Sequence, residues 1–359
     1  MLSIGKLGKI KMNMDDKGAL HMVTIYDIAA KAGVSAMTVS RVINNTGKIS
    51  DKTRAKVQKV MEELNYVPNH MARSLVLQQS KLLFLLITDI TNPFYTTLAR
   101  GAEDSAKKQG YRLLFGNSDE NAQKEKDYVD TILATRADGV LVAPAGDSSL
   151  PHLESLRRHN VPFVLLDREV PGMGSDVVLG DTKEGARKLV DHLTSRGHRR
   201  IALINGLPSI SSARLRLEGF REALKLNDLE YDEQYVLETA FEPKSDLSDI
   251  ESWLDSMNPP PTAIVAGNNV LAVEVIRTLM NRGIRVPEEL SVVGFDDLGP
   301  YSEIDPFLTV IAQQAYQFGY LGMQMLIERI EERDQAPQPW RRIVLPAELI
   351  ARRSVSLRE

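Results

Sequence analysis

The chain has no cysteine among its 359 residues. That excludes disulfide frameworks and thiolate metal sites, and the expected compartment is the cytoplasm. It also has no long apolar run. The longest, "LLFLLI" at residues 82–87, falls far short of the ~20 residues that span a bilayer and reads as a buried strand. The first 20 residues carry lysines but no continuous apolar core and no small-residue cleavage site, so no secretory signal is expected. Signatures of catalysis are missing too. No G-x-G-x-x-G follows a first strand, and no G-x-S-x-G elbow occurs. "GDTKEGARK" (180–188) has two glycines at P-loop spacing, but Ala186 and Arg187 stand where Lys and Ser/Thr are needed. The six histidines, His21, His70, His152, His159, His192 and His198, show no metal-ligand spacing. His192 and His198 read as structural or dipole partners near a helix C-terminus. Neither an enzyme nor a bound metal or cofactor is expected.

What is present suits soluble globular domains: 43% hydrophobic and 26% charged residues, in a length that fits two or three domains. The net charge of -4 conceals an asymmetry. Residues 1–81 hold 13 Lys+Arg against 6 Asp+Glu, whereas the remainder holds 31 against 42. A basic front on an acidic body suits a partner that is a polyanion, although a solvated basic tail carries the same charge. Residues 1–22 lack periodicity, and Met12, Met14 and Met22 are alternative starts, so a disordered extension is expected there.

Residues 23–67 read as three helices. "TIYD" (24–27) has the form of a capping box, opening a helix with Ile25, Ile28, Ala29 and Ala32 inward. Gly33 supplies a tight turn, and Ser35 caps a second helix running to about Asn44. Ser50 and Asp51 open a third, with Val57, Val60, Met61 and Leu64 as its stripe; Asn65 and Pro68 end it. Helix, glycine turn, helix is the plan whose second helix enters a major groove. With Val34 and Val39 pinning that helix, Ala36, Met37, Thr38, Ser40, Arg41 and Asn44 are expected outside. The fork of Arg41 matches guanine O6 and N7, Thr38 and Ser40 can bond phosphates or bases, and Ala36 and Met37 can meet a thymine methyl. A three-helix protein-interaction module has the same spacing. In residues 68–80, Asn69 can cap a short helix carrying Met71, Ala72, Leu75 and Val76, too short to stand without a partner. Leu75 is then a candidate wedge for a minor-groove base step; a plain linker is the other reading.

"VTIYDIAAKAGVSAMTVSRVINN" and "TRAKVQKVMEELNYVPNHMARSL" together resemble the headpiece and hinge helix of the lactose-repressor (LacI/GalR) family across residues 23–75. The resemblance implies that Arg41 and its neighbours read the major groove, that Ala36 and Met37 occupy the variable specificity positions, and that Leu75 opens the central step of a palindromic operator. Thr24, Tyr26, Ser35, Asn69 and His70 are counted with these as DNA-contacting residues.

From residue 82 onward apolar strands alternate with helices, the mark of parallel sheets covered on both faces. Two such sets predict two Rossmann-like lobes: the first over about 81–180 plus 312–340, the second over 181–309 plus 341–354. Ligands of such sheets bind beyond the carboxyl ends of the strands. The residues there are Asp89, Asn92, Phe94, Tyr95, Asp167, Asn268, Asn269, Asp296, Asp297 and Gln313, joined by Arg216 from "SARLRLEGF". Asp, Asn, Arg and Gln beside aromatics suit a sugar's hydroxyls and C–H face, yet Asn and Asp after strands are also ordinary caps and turn formers.

"TDITNPFY", "RLRLEGF", "AGNNVLA", "VPEELSVVGFDD" and "PFLTVIAQ" resemble the same family's regulatory core, itself similar to periplasmic sugar-binding proteins. By carry-over, Phe94, Tyr95, Asp167, Arg216, Asn268, Asp296 and Gln313 line a cleft between lobes. There is one departure: Asn268-Asn269 stands where the family usually has Asn-Asp. The expected fold is thus an N-terminal all-α helix-turn-helix headpiece with hinge helix, followed by an α/β core of two periplasmic-binding-protein-like lobes. The expected function is a homodimeric, DNA-binding repressor controlled by a small sugar. A nucleobase, another metabolite or a protein co-regulator as effector, or a core that only dimerises, are the alternatives. The terminal "LIARRSVSLRE" has no heptad, which argues against a tetramer through a helix bundle there.

Overall fold

The computed structural model describes residues 23–44, 46–66, 80–241, 247–299, 304–333, 336 and 338–358. The expected extension at 1–22 and the hinge helix, with Asn69, His70 and Leu75, lie outside the described residues. The chain divides into two units, Met1–Ser80 and Lys81–Glu359.

In the first unit α1 spans Ile25–Ala32, α2 Ala36–Asn44 and α3 Asp51–Glu63. The capping box is formed: the Thr24 amide donates to Asp27 Oδ2 at 2.8 Å, and the Asp27 amide donates to Thr24 Oγ1 at 3.4 Å. Gly33 ends α1 with φ +60°, a left-handed turn that costs a glycine little. Ser35 Oγ then accepts from the Thr38 amide at 3.2 Å. Ile28, Ala29, Ala32, Val39, Val42, Val57 and Val60 close a small core among the three helices.

The second unit holds two six-stranded sheets of matching order. In the first, β1 (Leu82–Ile87), β2 (Arg112–Asn117), β3 (Gly139–Val142), β4 (Phe163–Leu166), β5 (Asp176–Gly180) and β11 (Arg342–Leu345) run in the order β11-β5-β4-β3-β1-β2. In the second, β6 (Ile201–Asn205), β7 (Val236–Glu238), β8 (Ala263–Ala266), β9 (Ser291–Phe295), β10 (Thr309–Ala312) and β12 (Glu348–Ile350) run β12-β10-β9-β8-β6-β7. All pairings are parallel except β10 with β12. Helices α4 (Pro93–Lys108), α5 (Ala122–Ala134), α6 (Leu150–Arg158) and α11 (Ala315–Glu331) serve the first lobe. Helices α7 (Thr182–Ser195), α8 (Ser211–Leu226), α9 (Ser248–Ser256) and α10 (Asn269–Asn281) serve the second.

The chain therefore passes between lobes three times, after β5, after β10 and after β11. Two of the expected boundaries need correction. Residues 342–345, expected in the second lobe, pair with β5 and belong to the first sheet. Residues 309–312 belong wholly to the second sheet as β10, so that lobe does not stop at 309. The reason is physical: Asp176 at the head of β5 is fully buried and ion-paired to Arg329 of α11 at 2.7 Å and to Arg341 at 3.0 Å, which draws the following strand to the first sheet. β5 and α7 occupy the stretch that sequence motifs marked only as a failed P-loop. Among the described residues no helix is long and apolar enough to cross a membrane.

Candidate functional site

Each sheet ends at the same face, and the residues just beyond the strand ends meet between the lobes. Asp89, Asn92, Phe94, Tyr95, Asp167, Arg216, Asn268 and Asp296 line one cleft. Gln313 stands behind it, its Nε2 donating to Asp296 Oδ1 at 2.8 Å. Local sequence explains the placements. Asn92 caps α4, its Oδ1 accepting from the Phe94 amide at 3.0 Å, and so sets the first turn that carries Phe94 and Tyr95. Asn268 does the same for α10, accepting from the Leu271 amide at 2.8 Å. Asp89 Oδ1 closes an Asx turn on the Thr91 amide at 2.8 Å. The capping and ligand-binding readings of these residues are not exclusive: Oδ1 of Asn268 serves the helix and leaves Nδ2 for the cleft.

Asp167 and Asp296 hold equivalent positions, directly after the fourth strand of each lobe. Both adopt left-handed backbone, φ +65° and +64°. Aspartate tolerates this region better than most residues, and the same turn recurs at one spot in both lobes. Asp167 Oδ2 accepts from the Tyr95 hydroxyl at 3.3 Å, while its Oδ1 is buried without a hydrogen-bond partner. Burial pushes the Asp296 carboxyl up to about 6, with Arg216 and Gln313 pulling it down and Asp167 pushing it up. Burial likewise pushes Tyr95 well above its usual range.

Arg216 is 3% exposed. Its guanidinium lies 4.5 Å from the ring centre of Phe295 and 5.6 Å from that of Phe241. Its Nε is buried with no partner, and burial lowers its pKa against the pull of Asp296 and Asp167. Four further cleft residues were missed by sequence reasoning: Glu120, Arg168, Ser212 and Phe241. Arg168 pairs with Glu120 through Nη1 at 2.5 Å and Nη2 at 2.7 Å, and its guanidinium sits 5.9 Å from Phe241. Desolvation is the largest influence on Arg168 and opposes its charge, but Glu120, Tyr95 and Asp167 together outweigh it and raise the pKa. Glu120, Arg168 and Phe241 all lie within three residues of a strand end, so the rule that finds Asp167 extends to them.

The headpiece offers a second surface. Tyr26 is 71% and Met37 64% exposed, and Arg41 is exposed one turn from Met37. Thr24 is exposed at the start of α1. Ser35 is exposed and Thr38 half-buried; their hydroxyls bond each other at 2.9 Å. Ser40 is half-buried and accepts from Asn44 Nδ2 at 3.3 Å. Two expected outward residues are half-buried, as Thr38 and Ser40 are. Ala36 packs against the headpiece core, because 36, 39 and 43 share one helical stripe. Asn44 is half-buried with Oδ1 turned inside.

His198 is buried, with Nδ1 3.0 Å from Thr262 Oγ1 and Nε2 3.1 Å from the Ser356 carbonyl, a structural role. His192 lies in the last turn of α7, where burial lowers its pKa; it is neutral there and adds no charge to the helix end. Among the described residues no group of His, Asp and Glu could hold a metal ion.

Residues 24–69 match the family described as bacterial regulatory proteins, lacI family, and residues 190–355 match a periplasmic binding protein-like domain. The HTH-type transcriptional regulator DegA of Bacillus subtilis is 37% identical over 335 residues, covering 93% of this chain and 98% of that protein. Among solved structures, the lac repressor dimer bound to operator and the anti-inducer ONPF matches with a TM-score of 0.78 at 30% identity, over 94% of this chain and 100% of that one. A LacI family transcriptional regulator from Enterococcus faecium with bound ribose matches with a TM-score of 0.67 at 30% identity, over 77% of this chain and 100% of that one.

Proposed function

The chain belongs to the lacI family of bacterial regulatory proteins, and from that premise we propose that it is a cytoplasmic, homodimeric repressor whose operator affinity is set by a neutral monosaccharide bound between the lobes. It is a transcriptional regulator and not an enzyme. The observation that carries the ligand reading is Arg216. A guanidinium 3% exposed that makes no hydrogen bond among the described residues is costly, and it faces two buried aspartates. Vicinal hydroxyls accept from the guanidinium and donate to Asp167 and Asp296 at once. Phe94, Tyr95 and Phe241 supply flat apolar faces for the C–H side of a ring. Arg168 is spent on Glu120 and Arg216 faces Asp167 and Asp296, so the acids of the cleft outnumber its arginines and disfavour a phosphate.

Groups from both lobes meet the ligand, so binding favours one inter-lobe angle. The ligand moves DNA affinity only by its differential affinity for the two arrangements, commonly ~1–3 kcal/mol. On the headpiece, Arg41 and Met37 read base edges in the major groove, with Thr24, Tyr26, Ser35, Thr38 and Ser40 gripping the backbone. Asn69, His70 and Leu75, outside the described residues, are assigned to DNA as well, with Leu75 as the minor-groove wedge. Isothermal titration with D-ribose and other pentoses and hexoses tests the ligand reading. One neutral sugar should bind the wild type, its phosphate ester should not, and Arg216→Ala should abolish the heat while leaving DNA binding intact. A core that binds no sugar, or an Arg216→Ala variant that binds as the wild type does, contradicts it.

A further inference from the structure

We propose that Asn269 is the latch of the cleft, a neutral side chain that ties the second lobe to the first and thereby sets how tightly the cleft closes. Asn92 Nδ2 donates to Asn269 Oδ1 at 3.1 Å, and Asn269 Nδ2 donates back to Asn92 Oδ1 at 3.0 Å. Asn92 belongs to the first lobe and Asn269 to the second, and both are buried. Neither amide is free to turn over. Asn92 Oδ1 is held by the Phe94 amide at 3.0 Å, and Asn269 Nδ2 also donates to the Asp297 carbonyl at 3.1 Å. Each lobe thus orients its own amide, and the pair meets already aligned.

Only an amide at 269 satisfies this geometry, since the position must donate twice and accept once, and a hydroxyl has a single proton to donate. A carboxylate would set an acceptor against Asn92 Oδ1 and against the Asp297 carbonyl. It would also add charge beside a cleft that already holds Asp89, Asp167 and Asp296. This is the position where the resemblance leads one to expect Asp. Among the described residues, other polar contacts between lobes are of a different kind. Arg214 pairs with Asp147 at 2.8 Å, but both side chains are over a third exposed, where an ion pair adds little and is screened by salt. The Asp147 amide donates to the Ser209 carbonyl at 2.9 Å, and the Glu169 amide to Ser211 Oγ at 2.8 Å. Asn92 gives the amide latch a further reach, because the same Oδ1 anchors the turn that carries Phe94 and Tyr95.

The absence of cysteine makes the test direct. Glu154→Cys on α6 and Ser252→Cys on α9 are exposed positions in different lobes, and spin labels there report the inter-lobe distance in the full chain. Asn269→Asp should move the closed-to-open ratio about tenfold toward open, the loss of two net hydrogen bonds, and add a longer distance. Asn269→Ser removes the amide without adding charge and should move the distances the same way, which guards against a misfolded Asp variant. Distances in both variants that coincide with the wild type overturn the latch. The link to affinity rests on the proposed function, and D-ribose titration of the same variants reads it: affinity should fall in the same proportion. Longer distances in variants that, like the wild type, ignore ribose uphold the latch and remove ribose from the proposed function.

Discussion

Asp296 concentrates the chemistry of the cleft in one titratable group. Its carboxyl is raised to about 6 by burial, so between the ordinary aspartate value and about 6 the folded protein holds a proton that the unfolded chain releases. That contribution to stability is present at the acid end of the window and is lost as pH rises through about 6. Asp296→Asn should therefore match the wild type near pH 4.5 and exceed it near pH 8, by an amount on the order of 1–3 kcal/mol in urea unfolding. Equal pH dependence in the two proteins would mean that the carboxyl is not buried as described. Arg41 is the corresponding residue on the headpiece. Arg41→Ala should cost roughly 1–3 kcal/mol on the cognate duplex and relax discrimination at one base pair, read by competition with single-base variants. A uniform loss across all variants would make Arg41 a phosphate contact. Sequence alone named both residues, since an acid after a buried strand and an arginine on a recognition helix are informative by type and place. It put Ala36 wholly outside, whereas the stripe 36, 39, 43 leaves it half-buried. Its list of cleft residues left out Phe241, which lies three residues past the short strand β7.

At the scale of elements, α4 and α11 set the geometry of the first lobe. They touch backbone to backbone: a Cβ on Gly319 would lie 1.9 Å from the Leu98 carbonyl, and one on Gly101 would lie 2.0 Å from that of Tyr316. Gly319→Ala must push the helices apart, and overpacking of this kind costs roughly 1–3 kcal/mol or more. The chemical denaturation midpoint should fall and, because α4 carries Phe94 and Tyr95, sugar affinity should fall with it. A variant as stable as the wild type would show that the helices separate at no cost. Helices with strong apolar stripes and strands with unbroken apolar runs were legible within a few residues. The pairing of β11 was not, since a four-residue strand carries no mark of which sheet it joins. That choice rests on long-range ion pairs between Asp176 and two arginines more than 150 positions away.

As a whole molecule the chain joins a basic front to an acidic body, and the two ends carry different tasks. On the proposed function, charge draws the front to DNA, base contacts choose the site, and the core biases the outcome through the angle between its lobes. Proteins of such design respond to a ligand only when both surfaces are intact, so the decisive experiment reads both together. It is the affinity of the full chain for a palindromic duplex taken from its own upstream region, against a scrambled duplex, at fixed near-physiological salt, with and without D-ribose and a panel of other neutral sugars. Tighter binding to the palindrome, shifted about 5- to 150-fold by one sugar, is the predicted result, and the direction of the shift names that sugar an inducer or a corepressor. Equal, salt-sensitive binding to both duplexes that no sugar alters would contradict the account.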